Sequence, residues 1–216
     1  TLTVIGEEFP EPKIPIQLLA DILEGAIIKR CASGKGHGVA ILSEGLAEKL
    51  DGATLGSVDR DSYGNVRLSE LELGQVLKDQ VSASLRARGV DVTIVAKDLG
   101  YELRCAPPGA FDIQYCRSLG YWATRFLLNG STGAMVTIQG GKLVPIPFRE
   151  MLDGRTGKIR VRYVDIESES YQTLRAYMIR LGPEDFESQG QVEALARAGH
   201  LDKSRFVERF RYLGER

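Results

Sequence analysis

The sequence is poor in the residues from which self-contained active sites are most often built. It holds only two histidines, His37 and His200, and three cysteines, Cys31, Cys105 and Cys116. The cysteines are odd in number and form no CxxC pair, so neither a zinc ribbon nor a disulfide framework is indicated. Two histidines leave little material for a His/Cys metal site or for histidine acid–base chemistry. No Ser-His-Asp set and no HExxH occur. A basic excess is also lacking: 28 Lys and Arg face 29 Asp and Glu, a net charge of -1, which weighs against a nucleic-acid partner. No apolar run approaches the ~20 residues of a membrane helix, so no membrane partner is expected either. These absences point to a reducing, cytoplasmic setting with three mostly buried thiols. An initiator Met is missing too. The chain opens Thr1-Leu2-Thr3-Val4-Ile5, inside what reads as a buried strand, and the expectation is a processed chain or part of a longer protein.

What is present is ordinary globular material, 43% hydrophobic and 26% charged over 216 residues, which excludes disorder as the dominant state. Residues 2–5 are β-branched and apolar, a buried strand ending in Gly6-Glu7-Glu8. Three prolines make 9–15 a loop, and the 3.6-residue period of Leu19, Ile22, Leu23, Ala26 and Ile27 predicts a helix over 16–31. A second buried strand is expected at 37–42, a short helix at 46–50, and a helix through Leu73, Leu77, Val81 and Leu85 ending at Gly89. Residues 91–96 read as a third strand. Ile113, Cys116, Gly120, Ala123 and Leu127 line one face of another helix. Residues 134–138 and 143–148 flank Gly140-Gly141 as a hairpin, with Pro145 and Pro147 putting the second arm at an edge. A strand at 160–164, a helix from Tyr171 to Leu181 and a tail of two helical pieces complete the reading. Apolar strands alternating with helices imply an α/β fold, a parallel sheet flanked by helices with a C-terminal helical extension.

In such sheets ligands bind beyond the carboxyl ends of the strands. That rule selects Glu7-Glu8, Ser43-Glu44-Gly45 and the stretch 97–104. An ionised carboxylate accepts hydrogen bonds from sugar hydroxyls, which suits Glu7, although a solvated loop acid is the plainer reading. Arg104 has the planar fork that best fits a phosphate dianion, and Tyr101 can add a neutral hydrogen bond; a surface Arg beside a core Tyr is the competing reading. Gly34-Lys35-Gly36-His37-Gly38 is not a phosphate loop, because it lacks the Gly-Lys-Ser/Thr spacing and precedes a strand; it reads as a helix stop.

Taken in order, several segments resemble one family. They are the strand with Glu7-Glu8-Phe9-Pro10, His37-Gly38-Val39-Ala40-Ile41-Leu42-Ser43-Glu44-Gly45, Gly100-Tyr101-Glu102-Leu103-Arg104-Cys105, Gly133-Ala134-Met135-Val136-Thr137-Ile138-Gln139-Gly140-Gly141 and Val144-Pro145-Ile146-Pro147-Phe148. Together they resemble the C-terminal part of 6-phosphofructokinases, most closely the long, often pyrophosphate-dependent branch. The resemblance implies phosphoryl transfer from pyrophosphate or ATP to the 1-hydroxyl of fructose 6-phosphate, with Mg2+. It implies that Glu7 holds sugar hydroxyls, that Arg104 grips the sugar 6-phosphate, and that Tyr101 stands beside it where the short ATP-dependent enzymes have His. The family usually has Pro before that Glu, and this chain has Gly6, which leaves the turn less rigid. The resemblance further implies a sugar-phosphate-binding lobe over 1–105, a helix and hairpin over 106–150 that cross to another lobe, and a return over 151–216. A homodimer or homotetramer is the implied assembly.

The family's donor-phosphate glycine loop, Thr-Ile-Asp segment and Met-Gly-Arg segment are not found in residues 1–216. Those segments supply the catalytic base and the metal ligands, so none is assigned to this chain. A non-catalytic sugar-phosphate-binding or regulatory subunit of the same fold is the alternative, and an unrelated α/β interaction module the third. Phosphoryl transfer rests on positioning and charge neutralisation. The purified 216-residue chain is therefore expected to bind sugar phosphate weakly and to show no phosphofructokinase activity; turnover by this chain alone in a coupled assay would overturn that expectation.

Overall fold

The computed structural model describes residues 1–50, 72–100, 102 and 105–215. They divide into two compact units, Thr1–Asp98 with Val164–Arg216, and Leu99–Tyr163.

In the first unit, β1 (Leu2–Val4) pairs in parallel with β2 (Ala40–Leu42), with Leu2 opposite Ala40 and Val4 opposite Leu42. The other edge of β1 is not bare, since Ile179 N donates to Thr1 O at 3.0 Å. Helix α1 (Ile16–Ala32) follows the proline loop, with Pro15 as its N-cap at φ -71°. It packs against α3 (Leu73–Ala87) and α6 (Gln189–Ala198). Helix α3 shows why its period was readable: Leu73, Leu77, Val81 and Leu85 are its buried residues, one per turn, and Gly89 at φ +74° follows its end. Helix α2 (Leu46–Lys49) is a single turn. Helix α5 (Glu169–Ala176) is capped by the Ser168 hydroxyl, and α7 (Lys203–Phe210) by Asp202, which accepts from Arg205 N at 2.9 Å. The stacked and tilted rings of Phe186, Phe206 and Phe210 close the core at this end.

Helix α1 also buries charge. Glu24 is fully buried, and its two carboxylate oxygens accept from Arg88 Nη2 and from Arg209 Nη2, the latter at 2.8 Å. Asp21, one turn earlier, accepts from Gln17 at 2.7 Å, Tyr212 at 2.8 Å and Arg209 at 3.2 Å. Arg209 further reaches Ser84 Oγ at 3.0 Å, and Arg88 reaches Gly199 O at 3.1 Å. A buried carboxylate is tolerated only when its lone pairs are met in this way. Beside it, Gly25 permits close packing, because a Cβ there would lie 2.6 Å from Leu181 Cδ1.

The second unit contains α4 (Ala110–Leu128) and the antiparallel hairpin β3 (Ala134–Gln139) and β4 (Lys142–Pro147). Gly140 and Gly141 have φ +56° and +76°, the two positive values that a type I′ turn requires. The register puts Pro145 opposite Val136 and Pro147 opposite Ala134, while Phe148 N donates to Gly133 O. Both prolines therefore fall at non-hydrogen-bonded pairs, and their missing N–H is lost on the free edge. Past the hairpin, Asp153 closes a loop. Its carboxylate accepts from Thr156 N at 2.8 Å, Thr156 Oγ1 at 2.9 Å and Arg155 N at 3.1 Å, and these bonds, Thr156 foremost, hold it below the usual carboxylate range.

Five expectations need correction. The thiols are not mostly buried: Cys31 is half-buried, and Cys105 and Cys116 are exposed. The second strand is not buried: Val39 is 63% and Ile41 49% exposed, because β2 is an edge strand among the described residues. Residues 91–96 pair with no strand among the described residues, although Val92 and Ile94 lie on the core and give the alternation that imitates one. Residues 160–164 form no strand; the pairing there is a bridge between Leu152 and Ile159. The helix expected to reach Leu181 ends at Ala176, because the following residues run beside β1, where Leu181 is buried over Gly25.

Removing a partner from a buried ion pair strands the other charge. Glu24→Ala is expected to cost about 3–5 kcal/mol of stability, measurable by urea unfolding of the chain.

Candidate functional site

The carboxyl ends of β1 and β2 lie side by side. Past Val4 the chain makes a 3-10 turn, Gly6–Glu8, closed by Glu8 N to Ile5 O at 3.3 Å and Phe9 N to Gly6 O at 3.2 Å. Past Leu42, Ser43 N donates to Val4 O at 3.0 Å, which extends the pairing one residue. The two strand ends touch: a Cβ on Gly6 would stand 3.6 Å from Gly45 O, an ordinary contact, so position 6 has room for a side chain. Two lysines fasten the loop that leaves the turn. Lys49 donates to Phe9 O and Glu11 O, and Lys13 to Glu48 O and Leu50 O, all at 2.8–3.0 Å.

Three strand-end acids result, in three different settings. Glu7 is half-buried, and its Oε1 accepts from Val164 N at 3.0 Å. Glu44 is exposed on the end of β2, next to Ser43, whose hydroxyl is buried without a protein partner. The Glu8 side chain is only 4% exposed, and it is saturated. Arg180 grips it with both terminal nitrogens, at 2.6 and 2.7 Å, Tyr171 donates its hydroxyl, and Arg175 lies 3.9 Å away. Arg180 also donates to Thr3 O, so one guanidinium bonds β1 and the turn beyond it. Burial and the hydrogen bond to Glu8 push the Tyr171 hydroxyl up to about 12.

Tyr101 and Arg104 lie outside the described residues. Of the three residues expected to bind the sugar phosphate, Glu7 is thus the one placed at a strand end. Arg180 and Tyr171 escaped the sequence reading as partners of Glu8, being 172 and 163 residues away from it. The one local signal was a lone Arg inside the apolar run Met178-Ile179-Arg180-Leu181, since a charge among buried neighbours has to be paired.

A cleft of about 700 Å³ opens beside this cluster, lined among others by Glu8, Lys29, Arg175, Arg180 and Glu184. Each of its cations already faces a carboxylate: Arg180 and Arg175 face Glu8, and Lys29 faces Asp185 at 2.6 Å and Glu184 at 3.3 Å. The cleft is therefore electrically balanced, with no surplus positive charge for a phosphate. Among the described residues no group of three or more His, Cys, Asp or Glu is arranged to hold a metal ion, so a divalent cation finds no fitting donor set there.

No family model matches the sequence. The chain is 42% identical to a protein named pyrophosphate–fructose 6-phosphate 1-phosphotransferase from Naegleria fowleri, over 98% of this chain and 51% of that protein. It is 40% identical to a protein of the same name from Thermotoga maritima, over 97% of this chain and 52% of that protein. An ATP-dependent 6-phosphofructokinase from Amycolatopsis methanolica is 31% identical over 65% of this chain. The chain spans about half the length of the curated relatives it matches most extensively.

The raised Tyr171 value has a direct readout. Ultraviolet titration is expected to count the same number of tyrosinates in the wild-type chain and in Tyr171→Phe below about pH 12, with the wild type gaining one more as the pH rises through about 12. Because the folded value lies above the unfolded one, the associated stability is full below about pH 10 and is lost as the pH rises through about 12.

Proposed function

We propose that this chain, homologous over 98% of its length to phosphofructokinases of the pyrophosphate-dependent kind, is the sugar-substrate-binding portion of such an enzyme. The reaction is transfer of a phosphoryl group to the 1-hydroxyl of fructose 6-phosphate, giving fructose 1,6-bisphosphate, with pyrophosphate favoured over ATP as donor. The observation that carries this reading is the identity of 40–42% with two proteins so named, extending along nearly all of this chain. The strand-end geometry agrees with it, since the carboxyl ends of a parallel pair are where an α/β fold receives a ligand.

In this reading the chain binds and orients the sugar. Glu7 retains one carboxylate oxygen for sugar hydroxyls while the other holds Val164 N. Glu44, exposed at the neighbouring strand end, is a second acceptor the same ligand meets. Arg104 takes the 6-phosphate through its fork, with Tyr101 donating beside it. Fixing the phosphate and the hydroxyls fixes the 1-hydroxyl in turn, which is the positioning on which phosphoryl transfer depends. The base that takes the 1-hydroxyl proton, the donor site and the ligands of Mg2+ belong to the remaining half of the enzyme. No step is assigned to the metal here, because the described residues do not fit it.

The proposal extends to organisation. Residues 1–105 form the sugar-binding lobe, 106–150 cross to the other lobe and 151–216 return. Two features support this: Leu99–Tyr163 is a unit of its own, and α4 carries uncovered apolar side chains such as Phe111, Leu127 and Leu128. The enzyme is a cytoplasmic homodimer or homotetramer; no helix among the described residues is long and apolar enough to cross a membrane.

The test is a kinetic comparison in the full-length protein with pyrophosphate and with ATP. A charged hydrogen bond contributes about 1.5–3 kcal/mol, so Arg104→Ala should raise KM for fructose 6-phosphate roughly ten- to hundredfold. Glu7→Gln should raise it by less, since the amide still presents one acceptor. Unchanged sugar-phosphate affinity in Arg104→Ala would remove the proposal's main contact.

A further inference from the structure

We infer that Arg180 is a positioning residue for the substrate site, acting through Glu8; the inference rests on the strand-end reading above and adds a residue to it. Its basis is the number of separate pieces that one guanidinium joins. Arg180 takes both oxygens of Glu8, at 2.6 and 2.7 Å, and also the main-chain carbonyl of Thr3. Thr3 is inside β1, and Glu8 ends the 3-10 turn that follows it. The guanidinium thus spans the joint between strand and turn, and sets the angle at which the turn leaves the strand.

Glu7 is the residue that this angle aims. It lies in the same three-residue turn as Glu8, and a turn held rigidly at Glu8 leaves Glu7 little freedom of direction. The main chain of the turn has two hydrogen bonds of its own, at 3.2 and 3.3 Å, the long end of the ordinary range. Gly6 is its first residue, so the backbone contributes less stiffness than most residues would give. The side-chain clamp supplies what the backbone lacks. It is nearly dry: the Glu8 side chain is 4% exposed and that of Arg180 16%. A planar fork on a carboxylate in such surroundings holds direction as well as distance.

The clamp has a reporter independent of catalysis. Glu7 Oε1 accepts the Val164 amide, so a turn that swings away releases that amide to solvent. A substrate-site role predicts a second effect, on KM for fructose 6-phosphate and not on kcat, because Arg180 touches the turn and no reacting atom.

The experiment uses full-length protein and the variant Arg180→Lys, which keeps the charge but cannot bond two carboxylate oxygens and a carbonyl in one plane. Exchange of the Val164 amide is followed by NMR with 15N-valine labelling, alongside KM and kcat. Val164 exchange should accelerate about tenfold, and KM should rise about tenfold with kcat within twofold, well inside the ~100-fold that a 1 Å misplacement can cost. Glu7→Gln is run in parallel, and the double variant should be no worse than the poorer single one. A folded Arg180→Lys with wild-type Val164 exchange overturns the inference. Faster exchange with a raised KM supports it in full. Faster exchange with KM unmoved in both Arg180→Lys and Glu7→Gln keeps the clamp and overturns the strand-end reading of Glu7 instead. If Arg180→Lys fails to fold, Glu8→Gln, which leaves the guanidinium one acceptor and no charge to grip, takes its place, and the same two readouts decide.

Discussion

The burial of one carboxylate, Glu24, orders most of the first unit. A fully buried acid must be met by cations, and the two that reach it come from 64 and 185 residues further along the chain. Arg88 comes from the end of α3 and Arg209 from α7, and each also bonds a neighbour, Gly199 O and Ser84 Oγ respectively. The helices α1, α3, α6 and α7 therefore share a register that apolar contact alone would leave free to slide, since dispersion and hydrophobic burial have no direction. Such a pair is weak evidence of net stability. Its value here is that these helices are held in one arrangement.

The same solution recurs at Glu8, where the frame meets the site. There the acid sits at the end of β1, and its cation comes from the segment that runs along the strand's other edge. The consequence for ligand binding is electrostatic. Among the described residues the cations lining the cleft there are paired with carboxylates, and the chain as a whole carries a net charge of -1. On the proposed reading, a sugar phosphate is recognised by a few side chains held in place, not drawn in by a basic surface. That is economical for a small ligand with one phosphate, because orientation matters more than attraction once the ligand is bound.

Helices and the hairpin were legible because their signals are local. The four-residue recurrence of Leu73, Leu77, Val81 and Leu85 and the Gly140-Gly141 turn each involve neighbours in sequence. Strands were less legible, since an apolar alternation records burial on one side and not the presence of a hydrogen-bonded neighbour. Residues 91–96 have the first without the second among the described residues, and 178–181 bury Leu181 in an irregular run that the helical period absorbed by chance. For the site, the strand-end rule found the acids of the 6–8 turn directly. It had no means of telling Glu7 from Glu8, because what separates them is a partner 172 residues away.

Helix α4 separates legibility from burial in a different manner. Ile113, Cys116, Gly120, Ala123 and Leu127 form as regular a face as any in the chain, yet no residue of the helix is buried, and Ile113 and Leu127 are 42% and 64% exposed. Sequence periodicity states what a helix is built to bury; it does not state that the covering surface is part of the same described residues. Each exposed apolar Å² forgoes about 25 cal/mol of transfer free energy, so a whole apolar face left in water is a standing cost that natural monomers keep small. Relatives twice as long as this chain offer the simplest source of a cover. On the proposed reading, the half that brings the donor and the catalytic base also brings the surface that α4 lacks, and completing the fold and completing the active site become one event.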